Sequence, residues 1–221
     1  MKVGTLLDIV RRSDLDDAAQ PYLWSDDDLI EYADDAQNEA CRRGRLLVDS
    51  TTADTCQIAV LAGTHTYALD ARVIRVNRAR LSGESRPLGF RQMRKLDDLS
   101  PGWEDWSGTP EVILPDWQEG SIRLVPSPDS AGTLNLTVVR LPLATINDPD
   151  DAFEVRDEHL RNLRHWIVYR AFLKRDSETY DPERAAQALA LFEREFGPPQ
   201  PAYAELWAQQ YHSEDTGNGR F

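Results

Sequence analysis

The sequence predicts an α+β chain. A helical bundle is built from the N- and C-terminal segments, a small antiparallel β-sandwich or roll is inserted between them, and a C-terminal arm extends from the end. Three observations carry this reading. Apolar residues recur at helical spacing near both ends, alternation with a period of two takes over in the middle, and prolines followed by spaced aromatics close the chain. The boundaries expected are 1–53 plus 144–196 for the bundle, 54–143 for the β insertion and 197–221 for the arm.

The N-terminal elements come first. Thr5 opens a short helix carrying Leu6, Ile9 and Val10, and Pro21 separates it from a longer one. Ser25 with Asp28 forms a variant of the capping box, a hydroxyl for the first free amides and a carboxylate reaching back. Beyond it Leu29, Ala33, Ala36, Ala40 and Leu47 fall on one stripe, while Asp27, Asp34 and Asp35 point elsewhere.

In the middle, strands are expected at 57–61, 66–69, 72–81, 111–114, 121–125 and 133–140. The last sets Leu134, Leu136 and Val138 against Asn135, Thr137 and Val139, the alternation of a half-buried strand. Gly63-Thr64 and Ser82-Gly83-Glu84 read as turns that favour a hairpin, and 91–99 as one short helix. Helix returns at 157–174. After it, Asp181-Pro182 caps and starts a helix whose stripe is Ala185, Leu189, Phe192 and Phe196, closed by Gly197-Pro198-Pro199. Apolar stripes at both ends need partners, and each other's are the nearest to hand.

Composition narrows the function. The chain has 221 residues, 41% of them hydrophobic and 29% charged, which argues against a wholly disordered chain and against a membrane protein. Its 38 acids against 25 Lys and Arg give a net charge of −13, which argues against gripping a nucleic-acid backbone as the main task. Met1–Val10 lacks the apolar core of a secretion signal, so a reducing cytoplasm or an assembly built there is the expected setting. Two cysteines, Cys41 and Cys56, are too few for a disulfide scaffold or a thiolate zinc site.

Chemistry is sparse. His65, His159, His165 and His212 fall at no ligand spacing with one another or with cysteine. Asp26-Asp27-Asp28 diverge by about 100° per residue on a helix, so they do not converge on one ion. No phosphate-binding glycine loop and no nucleophile elbow exists in the sequence. No cofactor is expected, and a metal-dependent hydrolase is the weakest of the readings considered. Trp103, Trp106 and Trp117 either line a carbohydrate- or peptide-binding groove or plug the end of the sheet.

Charge is segregated. Residues 1–40 hold eleven acids and three bases, whereas 72–95 hold eight bases and one acid. Arg75, Arg78, Arg80, Arg91 and Arg94 thus form a basic segment able to meet the acids of another copy, or else a separate solvated face. In the arm, Tyr203, Trp207 and Tyr211 recur every four residues behind Pro198, Pro199 and Pro201. Aromatics so placed either fold back on the bundle or dock on another molecule.

Read in order, several strings resemble the head-to-tail adaptor (connector) proteins of tailed bacteriophages, the short-tailed type. They are Glu39-Ala40-Cys41-Arg42-Arg43, Gly63-Thr64-His65-Thr66-Tyr67, Pro101-Gly102-Trp103, Gly108-Thr109-Pro110, Ile122-Arg123-Leu124-Val125-Pro126-Ser127-Pro128 and Arg140-Leu141-Pro142. The resemblance implies a non-enzymatic virion protein at the head–tail junction, made in the host cytoplasm before assembly. It implies a ring of this chain, of twelve copies, beneath the portal protein, with a tail nozzle or tail tube protein on the other side and DNA passing through the lumen without sequence-specific binding. No membrane is involved. On this footing the arm, with Pro198, Pro199, Tyr203, Trp207, Tyr211 and Phe221, would bind the portal. Asp27, Asp34 and Asp35 would face the lumen or a neighbouring subunit, and Arg75, Arg78, Arg80, Arg91 and Arg94 would lie between subunits. The alternative is a carbohydrate- or peptide-binding β-sandwich of a phage tail.

Overall fold

The structure, a computed structural model, describes residues 1–175 and 178–199. Its contacts divide them into two units, Met1–Leu47 with Leu141–Pro199, and Val48–Arg140. The chain is α+β.

In the first unit, α1 (Val3–Val10) buries Val3, Leu6, Leu7 and Val10, and continues into a π-helical turn, Arg11–Leu15. The start is two residues earlier than Thr5, because the Val3 and Gly4 amides, unsatisfied within the helix, donate to the carbonyls of Asp151 and Pro149. Between this turn and the next helix, the buried Arg11 guanidinium gathers the carboxylates of Asp17 and Asp26 and the Trp24 carbonyl. α2 (Asp26–Gly44) begins at Ser25, whose Oγ accepts the Asp28 N–H at 3.1 Å. It buries Leu29, Ala33, Ala36 and Ala40 as their spacing requires. Leu47 is not on that stripe. The helix stops at Gly44, with Arg45 in the left-handed region at φ 51°, and Leu47 opens strand β1 (Leu47–Asp49) instead. Gly44 suits this stop, because a Cβ there would come within 2.8 Å of Leu46.

α5 (Asp157–Phe172) and α6 (Pro182–Phe196) complete the unit. Asp181 caps α6, accepting the Glu183 and Arg184 amides at 3.1 and 3.0 Å, and Gly197, at φ 89°, ends it. The buried stripe of α6 takes Ala188 rather than the half-buried Leu189. α5 ends two residues before Lys174, where Leu173 turns back to the carbonyls of Tyr169 and Arg170. All four helices share one core, in which the Trp24 ring meets Phe172 edge-on at 5.7 Å and its Nε1 donates to the Ala171 carbonyl at 2.9 Å.

The second unit carries α3 (Ala53–Cys56), β2 (Gln57–Val60), β3 (Thr66–Ala68), β4 (Val73–Leu81), β5 (Gly89–Phe90), α4 (Met93–Leu99), β6 (Ser107–Gly108), β7 (Val112–Gln118), β8 (Ser121–Val125), β9 (Ser127–Pro128) and β10 (Gly132–Arg140). In one sheet β10 is central, pairing with β4 along one edge and with β2 and β1 along the other. The second sheet runs β3–β8–β7–β5. Val60, Tyr67, Ile113, Ile122, Leu134 and Leu136 draw both sheets into one apolar core.

Two expectations are corrected here. The turn at Ser82-Gly83-Glu84 is present, but it joins no hairpin, because β4 pairs with β10 and β3 with β8. Turn residues fix where a chain reverses; the buried faces decide which strands meet. The pairing is also not wholly antiparallel, since the short pairs β5–β7 and β6–β9 are parallel.

Candidate interaction surfaces

Strand β4 sets out an arginine face. Arg80 lies opposite Asn135 and Arg78 opposite Thr137, while Ala79 and Val76 turn inward beside Leu136 and Val138. Arg75 stands an odd number of residues from Arg78 and Arg80, so in an unbroken strand it would point to the other side. A bulge at Asn77 absorbs the difference, and Arg75 pairs opposite Val139, in the same outward phase as the other two. Arg78 and Arg80 are exposed and meet no carboxylate among the described residues. Together with Ser50, Asn135, Leu136 and Thr137 they line a hollow of about 240 Å³. Arg91 and Arg94 are elsewhere. Arg91 follows β5 on the second sheet, where its amide donates to the Ile113 carbonyl, and Arg94 is exposed on α4.

At the root of that sheet lies a pair that sequence reasoning missed. Arg140 Nε donates to Asp49 at 2.7 Å, and both side chains are under a tenth exposed. Burial pushes the Asp49 carboxyl up, but hydrogen bonds from Thr52, Thr51 and Arg140 outweigh it and hold the group far below the usual carboxylate range. Nothing in the separation of residues 49 and 140 signalled this pair. The available clue was the Asp49-x-Thr51-Thr52 string, in which an aspartate accepts the amides two and three residues further on.

In the helical unit the acids of α2 are handled differently. Asp28 accepts from Lys174 Nζ at 2.7 Å, and that bond, with those from Ser25, holds its carboxyl below the ordinary value. Asp35 is bonded to Arg170. Asp34 is half-buried and takes the Ile146 amide at 2.8 Å; its burial, only partly offset by that bond, pushes its carboxyl up. Asp27 is exposed and meets no cation among the described residues. Asp27, Glu31 and Asp34, with Ile30 and residues 145–147, line a cleft of about 270 Å³.

A charged sheet face and a carboxylate-rimmed cleft are the charged surfaces that stand out among the described residues. Comparison with protein families agrees: the SU10 adaptor protein family matches residues 1–212. The chain belongs to that family. Curated proteins give no match. SU10 adaptors are phage head–tail adaptors, structural components of the virion associated with portal and tail parts, and not an enzyme class.

For an SU10 adaptor, the remaining candidate residues read as follows. Trp103 is buried with Leu96, Leu114 and Val125, and meets Trp117 edge-on at 6.1 Å. The buried Arg123 lies against both rings, at 4.8 Å from Trp103 and 4.3 Å from Trp117, and donates to the Glu104 carbonyl. These two tryptophans therefore fill a core, while Trp106 remains 45% exposed. Among the described residues no group of three or more His, Cys, Asp and Glu is arranged to hold a metal, and no helix is long and apolar enough to cross a membrane. Both cysteines are buried, and neither is in a disulfide among the described residues. Of the arm, Pro198 and Pro199 are exposed, whereas Tyr203, Trp207, Tyr211 and Phe221 lie outside the described residues.

Proposed function

We propose that this SU10 adaptor forms a ring below the portal, joins the DNA-filled head to the tail and extends the DNA channel between them. Membership of a head–tail adaptor family carries the reading. The ring holds twelve copies, the β unit meets a tail nozzle or tail tube protein, and DNA crosses the lumen without sequence-specific contacts. A net charge of −13 suits a wall past which DNA slides rather than sticks.

The portal contact is assigned to the arm. Chain leaves α6 at Gly197, Pro198 and Pro199 favour extended backbone, and Tyr203, Trp207, Tyr211 and Phe221 supply large apolar anchors of the kind that dominate binding energy at interfaces. Asp27, Asp34 and Asp35 belong to the acidic side that faces the lumen or the next copy. Mixing purified portal rings with the full chain, and with a chain cut after Gly197, tests this by native mass. The full chain should add a complete ring of copies and the shortened one should bind on the order of a hundredfold more weakly. Equal loading by both chains removes the arm from the portal contact, and no loading by either removes the portal as partner.

A further inference from the structure

The strongest unabsorbed feature is the outer face of the β1–β2–β4–β10 sheet. Its four strands contain four arginines and a single acid, Asp49, which is already held by Arg140. The two exposed arginines stand two residues apart on one strand, about 6–7 Å along it. Beside them Asn135 and Thr137 offer hydrogen-bonding groups from the neighbouring strand. Guanidinium groups set out in this way fit planar anions, carboxylate or phosphate.

Three features favour carboxylate on a second copy of this chain over the phosphates of a nucleic acid. The helical unit has 23 acids against 14 bases, a net of −9, so every copy offers acid surface and repels a polyanion. Aromatic side chains for stacking bases are absent from the four strands. A recess of complementary sign and suitable size exists on the same chain, the cleft of about 270 Å³ beside α2, where Asp27 meets no cation among the described residues and Ile30 gives an apolar wall for an arginine stem.

We propose that the Arg78–Arg80 face of one copy seats on the Asp27–Glu31 side of the α2 cleft of the next. The face and the cleft are different surfaces, so the contact is heterologous, head to tail, the kind that generates rings when the rotation closes. This deepens the ring reading above and rests on it for the existence of copy–copy contacts.

A charge exchange tests it, with native mass measured on the protein alone and on portal rings. R78E/R80E and D27K/E31K should each lose copy–copy association at least tenfold, and their equimolar mixture should regain it, because each reversed surface then meets its complement. All four sites are exposed and circular dichroism should match the parent chain; Glu31 also lies 3.8 Å from Arg170 Nη2, so the melting midpoint of D27K/E31K should fall slightly and that of R78E/R80E should not. If a reversal fails to fold, R78Q/R80Q and D27N/E31Q replace the pair, each weakening association and steepening no salt dependence. Variants that associate like the parent overturn the proposal, as does a mixture that stays dissociated. A parent chain showing no copy–copy association in either setting overturns it too. Loss of DNA retention by R78E/R80E with association intact overturns it in favour of a phosphate contact. Binding of single copies to the portal is read separately and bears only on the ring reading.

Discussion

Along α2 the carboxylates of Asp28 and Asp35 are answered within the helical unit by Lys174 and Arg170, and Asp34 by the Ile146 amide. Along β4, Arg78 and Arg80 are answered by nothing among the described residues. Both stretches look alike as text, a run of one sign interleaved with apolar residues. The difference shows that a charge run acquires meaning only when its partners are known. A charge met within its own unit serves the fold, and one left open, Asp27 on α2 as much as Arg78 and Arg80 on β4, is available to another molecule.

The sharpest way to break this contrast is at the most enclosed pair. Arg140→Ala strands the Asp49 carboxylate under its sheet and should lower stability by about 3–5 kcal/mol, read as a fall in the urea midpoint. A loss below about 1 kcal/mol would mean that Thr51 and Thr52 hold the carboxylate without Arg140.

Acid should have a smaller, graded effect through the same group. Asp49 sits below its ordinary 3.8 when folded, so its contribution is complete above that value and declines as pH falls beneath it. Urea midpoints taken at pH 6 and pH 3 should separate more in the parent chain than in Asp49→Asn. Parallel changes would exclude Asp49 as a source of acid sensitivity.

The smallest effect is expected on the open side. Arg78→Ala with Arg80→Ala should shift stability by no more than about 0.5 kcal/mol, since neither side chain meets a carboxylate among the described residues. A melting midpoint several degrees lower would show that the face supports the fold.

Much of this was legible from residue order. The steps between Leu29, Ala33, Ala36 and Ala40 identify a buried helix face, and Leu134, Leu136 and Val138 a buried strand face, because each pattern follows from local geometry alone. Ser25 and Asp181 announced their caps for the same reason. Partner choice was not legible. β4 meets a strand more than fifty residues away, past a turn that suggested a nearer one, and nothing local records that preference. The arginine face needed still more. Only the bulge at Asn77 brings Arg75 into phase with Arg78 and Arg80, and a bulge of one residue leaves no mark in a composition or a period.

Asp49 and Arg140 lie one residue inside and at the last residue of their unit, and their side chains touch. The polypeptide therefore departs for this excursion and returns from it at nearly the same spot. A loop tied off in this way can be lengthened, trimmed or exchanged for a different one without re-threading the helices.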